Sequence, residues 1–485
     1  MDNNEPTSFE TFLFWNDSGK INPSRLYDFF SANGFGKYYP DPSRRKHADP
    51  VIVKITGNLV SQVSVNYLLE FTKDYIILKN TDEAIKGSIL DSLHTSTSLF
   101  GDKNIKLLRT LELQFLSDKI GTGYLFFRNG VLEVTGTNLA LRPFSDFSEY
   151  IWETSVIPHD FSIVEFSALK DNSDFMKFLI DLSTHEDQAK ALSRLQSLQS
   201  AIGYLLHRHK NPATTKAIIL MDTYVNGLPN GGSGKTLLIN AIGKIRKLAI
   251  VDGKMYDQKE WFALSSVELD TEVLLFDDVD VMFDFEKIFP LMTTGLQIRR
   301  KYKDHVYLPF DKSPKVALTT NYAILGDSSS HRRRKFEFEV TATFSADFTP
   351  RDKFGKNFFD GWEDQDWNYF FNTMIQCLQV FLQNGLIQSE PLNLQLTKLI
   401  SKTNEDFPDW AKEYIQLNEK YDKRRLYERF IAVFPEYSRI SQRDFTMWLR
   451  AWGAFIQCTV NEPHSDTTRY IIFESINQAQ VIEIE

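Results

Sequence analysis

The stretch Pro229-Asn230-Gly231-Gly232-Ser233-Gly234-Lys235-Thr236 constrains this chain more than any other feature. An apolar run of strand length, Ala217 to Met221, precedes it, and Leu237, Leu238 and Ile239 open a helical pattern directly after it. Glycines let backbone N–H groups converge on a polyphosphate with no Cβ in the way, and the helix N-terminus adds partial positive charge. In that context Lys235 is expected to reach the β- and γ-phosphates of a nucleotide and Thr236 to hold Mg2+. Asn230, Gly231, Gly232, Ser233 and Gly234 then line the phosphates. The standard pattern has glycine five residues before Gly234, where this chain has Pro229, so the loop departs from it at one position. The bland alternative, a glycine-rich surface turn that happens to precede a lysine, leaves the order of strand, loop and helix unexplained.

A phosphate loop calls for acid nearby. Val273 to Phe276 run straight into Asp277, Asp278 and Asp280, a buried strand ending in carboxylates. Adjacent carboxylates repel unless a cation or proton bridges them, which Mg2+ and an attacking water would do. Asp277 is assigned to the Mg2+ shell and Asp278 to orienting the water, the two roles being exchangeable. A third apolar run, Val316 to Thr320, ends at Asn321, whose amide can donate to a phosphate oxygen and accept from a water. Between the second and third runs, Leu296 to Leu308 alternates around a polar tip rich in Arg and Lys, a basic hairpin.

Composition limits what surrounds this core. The 485 residues suggest about three domains at roughly 150 residues each, and 55 Lys+Arg against 64 Asp+Glu give a net charge of -9. A uniformly basic nucleic-acid coat is excluded; local patches remain at 299–303, 332–335 and 420–425. Cys377 and Cys458 are too few for a disulfide framework, no apolar stretch approaches the ~20 residues of a membrane span, and the first residues lack a secretory pattern. An intracellular protein with no membrane partner is expected.

The chain divides into a mixed α/β region of unassigned role (1–120) and a β-hairpin at Asn129-Gly130 followed by a helical block (121–210). An α/β ATPase domain (211–348) and a helical connector (349–405) come next. The C-terminal part (406–485) has the helix, helix, helix, hairpin order of a winged helix, with Ser441 to Trp452 as recognition helix carrying Arg443 and Arg450.

Taken in order, the Lys-Thr loop, the strand with paired Asp, the basic hairpin, the strand ending Thr-Thr-Asn and the run Arg332-Arg333-Arg334 resemble the superfamily 3 helicases. Within them the likeness is to the phage, plasmid and poxvirus primase-helicase group, over roughly residues 120 to 345. The resemblance implies an AAA+ core with a helical collar, assembled as a hexameric ring and using ATP and Mg2+. It makes Lys235 and Thr236 the Walker A pair, Asp277 and Asp278 the Walker B acids, and Asn321 the sensor. Lys301, Lys303 and His305 become the strand-gripping tip of the hairpin. Arg332, with Arg333 beside it, becomes the finger that stabilises phosphoryl charge on a neighbouring subunit.

The implied function is an ATP-driven DNA helicase moving on single-stranded DNA during replication of a phage, plasmid or similar mobile element, in the cytoplasm of a prokaryotic host or a virus-infected cell. Its implied partners are single-stranded DNA, forked or origin duplex, further copies of itself and a separate primase or polymerase. The alternative is an ATP-switched, origin-binding initiator without processive unwinding. The first hundred residues carry no primase signature, so primase activity is not carried over.

Overall fold

The computed structural model describes residues 13–45, 50–225, 228–229, 232–257, 259–260, 263–300, 303–326, 328–465 and 468–475. The chain is mixed α/β. Its centre is built from β1 (Ala217–Asp222), β2 (Leu248–Asp252), β3 (Val273–Val279), β4 (Lys315–Thr320) and β5 (Lys335–Val340). They form one parallel sheet in the order β2-β3-β4-β1-β5. β1 and β4 are buried at every position, as continuous apolar strands of a parallel sheet are when both faces are covered.

Alternate residues feed two different clusters, because successive side chains of a strand point to opposite faces. Ile218, Leu220, Leu275 and Ala317 join one, and Ala217, Ile219, Leu274 and Leu318 the other. The first face is covered by α1 (Gln188–Leu206), α2 (Lys235–Gly243) and, beyond the short helix α3 (Ser329–Arg334), by α4 (Asp364–Asn384). The segment 349–405, read as a connector, thus supplies Phe370, Phe371, Met374 and Leu378 to the same cluster as Leu198 and Leu205 of α1. The second face is covered by Phe285, Ile288 and Met292 and by the hairpin Leu296–Arg300/Lys303–Leu308.

The first hundred residues have an aromatic cluster of their own, in which Phe14, Phe29, Phe30, Phe35 and Tyr75 are buried. The sheet beside it runs Phe35–Tyr38, Val51–Thr56, Leu59–Gln62 and then Ile151–Trp152. That last strand comes from beyond residue 120, so the sheet spans the boundary read from sequence.

At the other end lie α5 (Phe407–Tyr414), β6 (Lys420–Asp422), α6 (Lys423–Val433), α7 (Gln442–Phe455), β7 (Thr459–Asn461) and β8 (Tyr470–Glu474). The antiparallel sheet order is β6-β8-β7, around a separate cluster holding Phe407, Trp410, Phe430 and Phe445. Side-chain caps start the helices: Asp422 accepts from the Arg424 and Arg425 N–H groups, and Ser441 from that of Asp444. Among the described residues no helix is long and apolar enough to cross a membrane.

Candidate functional site

In a parallel sheet every strand ends on the same edge, and the candidate residues gather where β1, β3 and β4 stop. After β1 the chain makes a small extra hairpin, Tyr224–Val225 against Leu228–Pro229. Pro229 pairs there with Tyr224, so this hairpin stands between the strand and the glycine-rich loop, at the position where the sequence departs from the standard pattern. Asn230 and Gly231 lie outside the described residues.

Gly232 and Gly234 have φ of +85° and +96°, which side chains rarely tolerate. A Cβ on Gly234 would sit 3.0 Å from the ring of Phe178, and one on Gly232 would sit 3.1 Å from the Ser345 carbonyl carbon. The positive φ calls for glycine at both positions, and the space beside each is tight. Gly234 caps α2, Lys235 begins it, and Thr236 is exposed on its first turn.

The Lys235 side chain is buried with its ammonium on the carboxylate of Asp222, the last residue of β1, and 3.1 Å from Oδ1 of Asn321. Its third neighbour is Ser233 Oγ at 3.4 Å, and Ser233 also donates to Asp222. Asp222 Oδ1 receives both; Oδ2 is buried with no hydrogen-bond partner. The sequence pattern did not single out Asp222. Its signal is a carboxylate closing an otherwise apolar strand, AIILMD, just before the glycine-rich loop.

At the end of β3 the register with β4 shifts between Phe276 and Val279, and Asp278 takes φ +54°. Bulges re-aim side chains, and here the bulge parts the two carboxylates. Asp277 accepts from Thr319 Oγ1, which in turn accepts the Asp278 N–H at 2.8 Å. Asp278, half-exposed, swings to Lys254 in the loop after β2, and its hydrogen bond and charge raise the lysine above its ordinary range. Thr319 and Lys254 were missed because both contacts are made across strands.

The site therefore brings together Lys235, Asp222, Asn321 and Ser233, with Asp277, Asp278 and Thr319 on the strands alongside. It does not bring in the arginines. Arg332 and Arg333 are exposed on α3 and have no described hydrogen bond or ion pair to Lys235, Asp277, Asp278 or Asn321. Arg334 packs over the Phe289 ring at 4.5 Å and donates to the Ser330 carbonyl. His331 is buried, with Nδ1 2.8 Å from Ser328 Oγ. Of the strand-gripping residues, Lys301 lies outside the described residues; Lys303 and His305 lie on the second strand of the hairpin, and their side chains are outside the described part.

No family model and no curated protein matches this chain. Among solved structures, an apo structure of the NrS-1 C-terminal region aligns with 92% of this chain and 98% of its own, at TM-score 0.40 and 12% identity. A second, of region 305-718, aligns with 93% and 99%, at TM-score 0.39 and 13% identity. A likeness of that degree fixes neither fold family nor activity.

Proposed function

We propose that the chain is an ATP-driven DNA helicase with an AAA+ core, acting as a ring on single-stranded DNA in the replication of a mobile genetic element. The observation that carries this reading is the convergence at one sheet edge. A buried lysine at a helix N-terminus, an asparagine amide oxygen 3.1 Å away and two diverging carboxylates at the end of β3 lie beside Gly232 and Gly234, whose φ is positive. Parallel α/β sheets bind ligands outside the carboxyl ends of their strands.

The residues fit a magnesium nucleotide in donor chemistry. Thr236 and the carboxylates offer hard oxygen ligands, and Asp222 Oδ2 is an unsatisfied acceptor beside the loop. Among the described residues no cluster of three or more His, Cys, Asp or Glu could hold a metal alone, as suits an ion that keeps waters and phosphate oxygens in its shell. When bound, Mg2+ would neutralise charge on the phosphates. Lys235 would leave Asp222 for the phosphates, Asn321 would hold the terminal phosphate and water in line, and Asp278 would orient that water once free of Lys254.

The exposure of Arg332 and Arg333, away from their own subunit's loop, suits a finger presented to a neighbour. Arg334, held on Phe289, is not the finger in this scheme. The deciding experiment pairs ATP hydrolysis, with and without single-stranded DNA, with strand displacement on a forked duplex. DNA-stimulated hydrolysis and displacement together support the motor. Hydrolysis with duplex binding and no displacement would favour the initiator reading.

A further inference from the structure

A cavity of about 440 Å³ lies where the N-terminal sheet meets the start of the central one, at the opposite end of the strands from Lys235. Its volume falls within the roughly 300–1,000 Å³ of small-molecule pockets, which favour the boundaries between domains. One wall is aromatic. Phe115 and Trp152, both half-buried, stack with ring centres 4.6 Å apart and planes 15° from parallel, and Tyr38 meets them at 5.6 and 6.2 Å. The other wall comes from the segment after α1, with Arg208, His209 and Lys210, and from the turn before β4, with Asp311, Lys312 and Ser313.

Most of the charge lining this cavity is already matched. Asp118 faces Arg246, Glu272 takes Arg208, and Lys315 donates to the Tyr204 carbonyl. Lys210 and Lys312 differ. Lys210 donates to Ser313 Oγ at 2.6 Å, with its ammonium 4.4 Å from the centre of the Phe310 ring. Lys312 donates to the Pro40 carbonyl at 2.8 Å and lies 3.5 Å from the Tyr38 hydroxyl. Neither ammonium has a carboxylate in ion-pair contact among the described residues. Burial lowers Lys210 to about 8, against the pull of Asp311. Gln114 and His209 add an amide and an imidazole to the lining, with no described side-chain hydrogen bond.

We infer that this cavity binds a free nucleoside monophosphate, its base against the Trp152 and Phe115 wall and its phosphate on Lys210 and Lys312. Every base has a flat face that stacks on aromatic side chains. A phosphate monoester carries about two negative charges at pH 7, matching two ammoniums where a carboxylate would match one. An uncharged ring would leave both lysines without counter-charge. Glu112 and Glu153, next in sequence to the wall residues Leu113 and Trp152, are exposed and would repel the further phosphates of a strand. Tyr38 and Trp152 belong to the N-terminal sheet, and Lys210 and Lys312 to segments joined to the central one, so the occupant would clamp the two together. The inference does not rest on the nucleotide reading of Lys235.

The probe is AMP, followed on the full chain by equilibrium dialysis and by thermal unfolding, with adenosine, inorganic phosphate and a single-stranded oligonucleotide as competitors. Lys312→Glu reverses the charge at an exposed residue and should weaken AMP binding at least tenfold while leaving the melting temperature of the ligand-free chain in place. Lys210→Met, which keeps the length of the side chain and removes its charge, should weaken it as much. Lys235→Ala should bind AMP as wild type does and gain the same rise in melting temperature, which separates this cavity from the glycine loop. Adenosine and inorganic phosphate should each compete at least tenfold more weakly than AMP, because each meets only one wall. No AMP binding by wild type, wild-type affinity in both lysine variants, loss of AMP in Lys235→Ala, adenosine as tight as AMP, or displacement of AMP by the oligonucleotide would overturn the assignment.

Discussion

The two ends of the central sheet both bury charge, and they do so differently. At the end where the strands begin, Arg246, 2% exposed, lies 3.4 Å from Asp118 and 3.5 Å from Glu272, and donates to the Leu206 and Tyr124 carbonyls. Asp118 also accepts the Tyr124 and Arg208 N–H groups, Glu272 pairs with Arg208 at 2.7 Å, and Lys315 donates to the Tyr204 carbonyl at 2.7 Å. No side-chain atom of these residues is buried without a partner. At the end where the strands stop, Lys235 and Asp222 form one tight pair, Asp222 keeps an orphan oxygen, and the cover is a glycine loop. Low dielectric makes a satisfied network rigid and an unsatisfied one costly. The first end is a finished structure, and the second leaves one buried carboxylate oxygen unsatisfied beside a single ion pair.

Four perturbations would break or sharpen that contrast. The largest effect is expected from Arg246→Ala, which takes a buried cation from two buried carboxylates and leaves them only Arg208 and backbone N–H groups; removing one member of a buried pair costs about 3–5 kcal/mol. Urea unfolding that gives less than about 1 kcal/mol would put the network on a par with surface pairs.

His207 comes next. Its Nε2 lies 2.9 Å from the Lys119 carbonyl oxygen, and burial, aided by the charge of Lys315 and opposed by Asp118, lowers its pKa to about 4. The unfolded chain, titrating near 6.5, holds the extra proton between those values. Stability is therefore full above about pH 6.5 and falls as pH drops toward 4, by roughly 3 kcal/mol. His207→Gln should flatten that acid slope in chemical denaturation measured at pH 7, 5.5 and 4; an unchanged slope would show that His207 is not the group that titrates.

Lys235→Ala is expected to lower ATP turnover by 10²-fold or more, worth about 2.7 kcal/mol in the barrier. It should cost less folding stability than Arg246→Ala, because Lys235 pairs with one carboxylate that keeps the Ser233 hydroxyl, whereas Arg246 holds two carboxylates and two carbonyls. Equal stability losses in Lys235→Ala and Arg246→Ala would erase the distinction between the two ends. The smallest effect belongs to Asp222→Asn. If the carboxylate only holds Lys235 until nucleotide arrives, magnesium-free nucleotide should bind about three- to tenfold more tightly, up to ~1.4 kcal/mol. Weaker binding in a titration with a fluorescent ATP analogue would make Asp222 part of the occupied site.

Much of the end where the strands stop was legible in the sequence, since it depends on local order: an apolar run, a glycine loop before Lys235, a strand closing on Asp277 and Asp278, another on Asn321. The relations across strands were not. Asp222 meets Lys235 only because the loop folds back over β1, and Thr319 reaches Asp277 only because β4 lies beside β3. The bulge at Asp278 leaves no mark in residue type. The other end was hidden for a different reason. Lys315 opens a strand where a solvated charge is the ordinary reading, yet it is 4% exposed, its ammonium over Tyr204 and pushed well below its usual range by burial. β2 was also unread, being a short edge strand with Ile250 half in solvent.

The measurement closest to the heart of this scheme is a comparison of wild type with Asp278→Asn in two assays, nucleotide binding and steady-state ATP hydrolysis with single-stranded DNA. An acid that orients water at a site built by Lys235 and Asn321 predicts that Asp278→Asn binds nucleotide as wild type does and loses turnover at least 10²-fold. Wild-type turnover in the variant, or no hydrolysis by the wild type itself, would contradict a catalytic nucleotide site at this edge of the sheet.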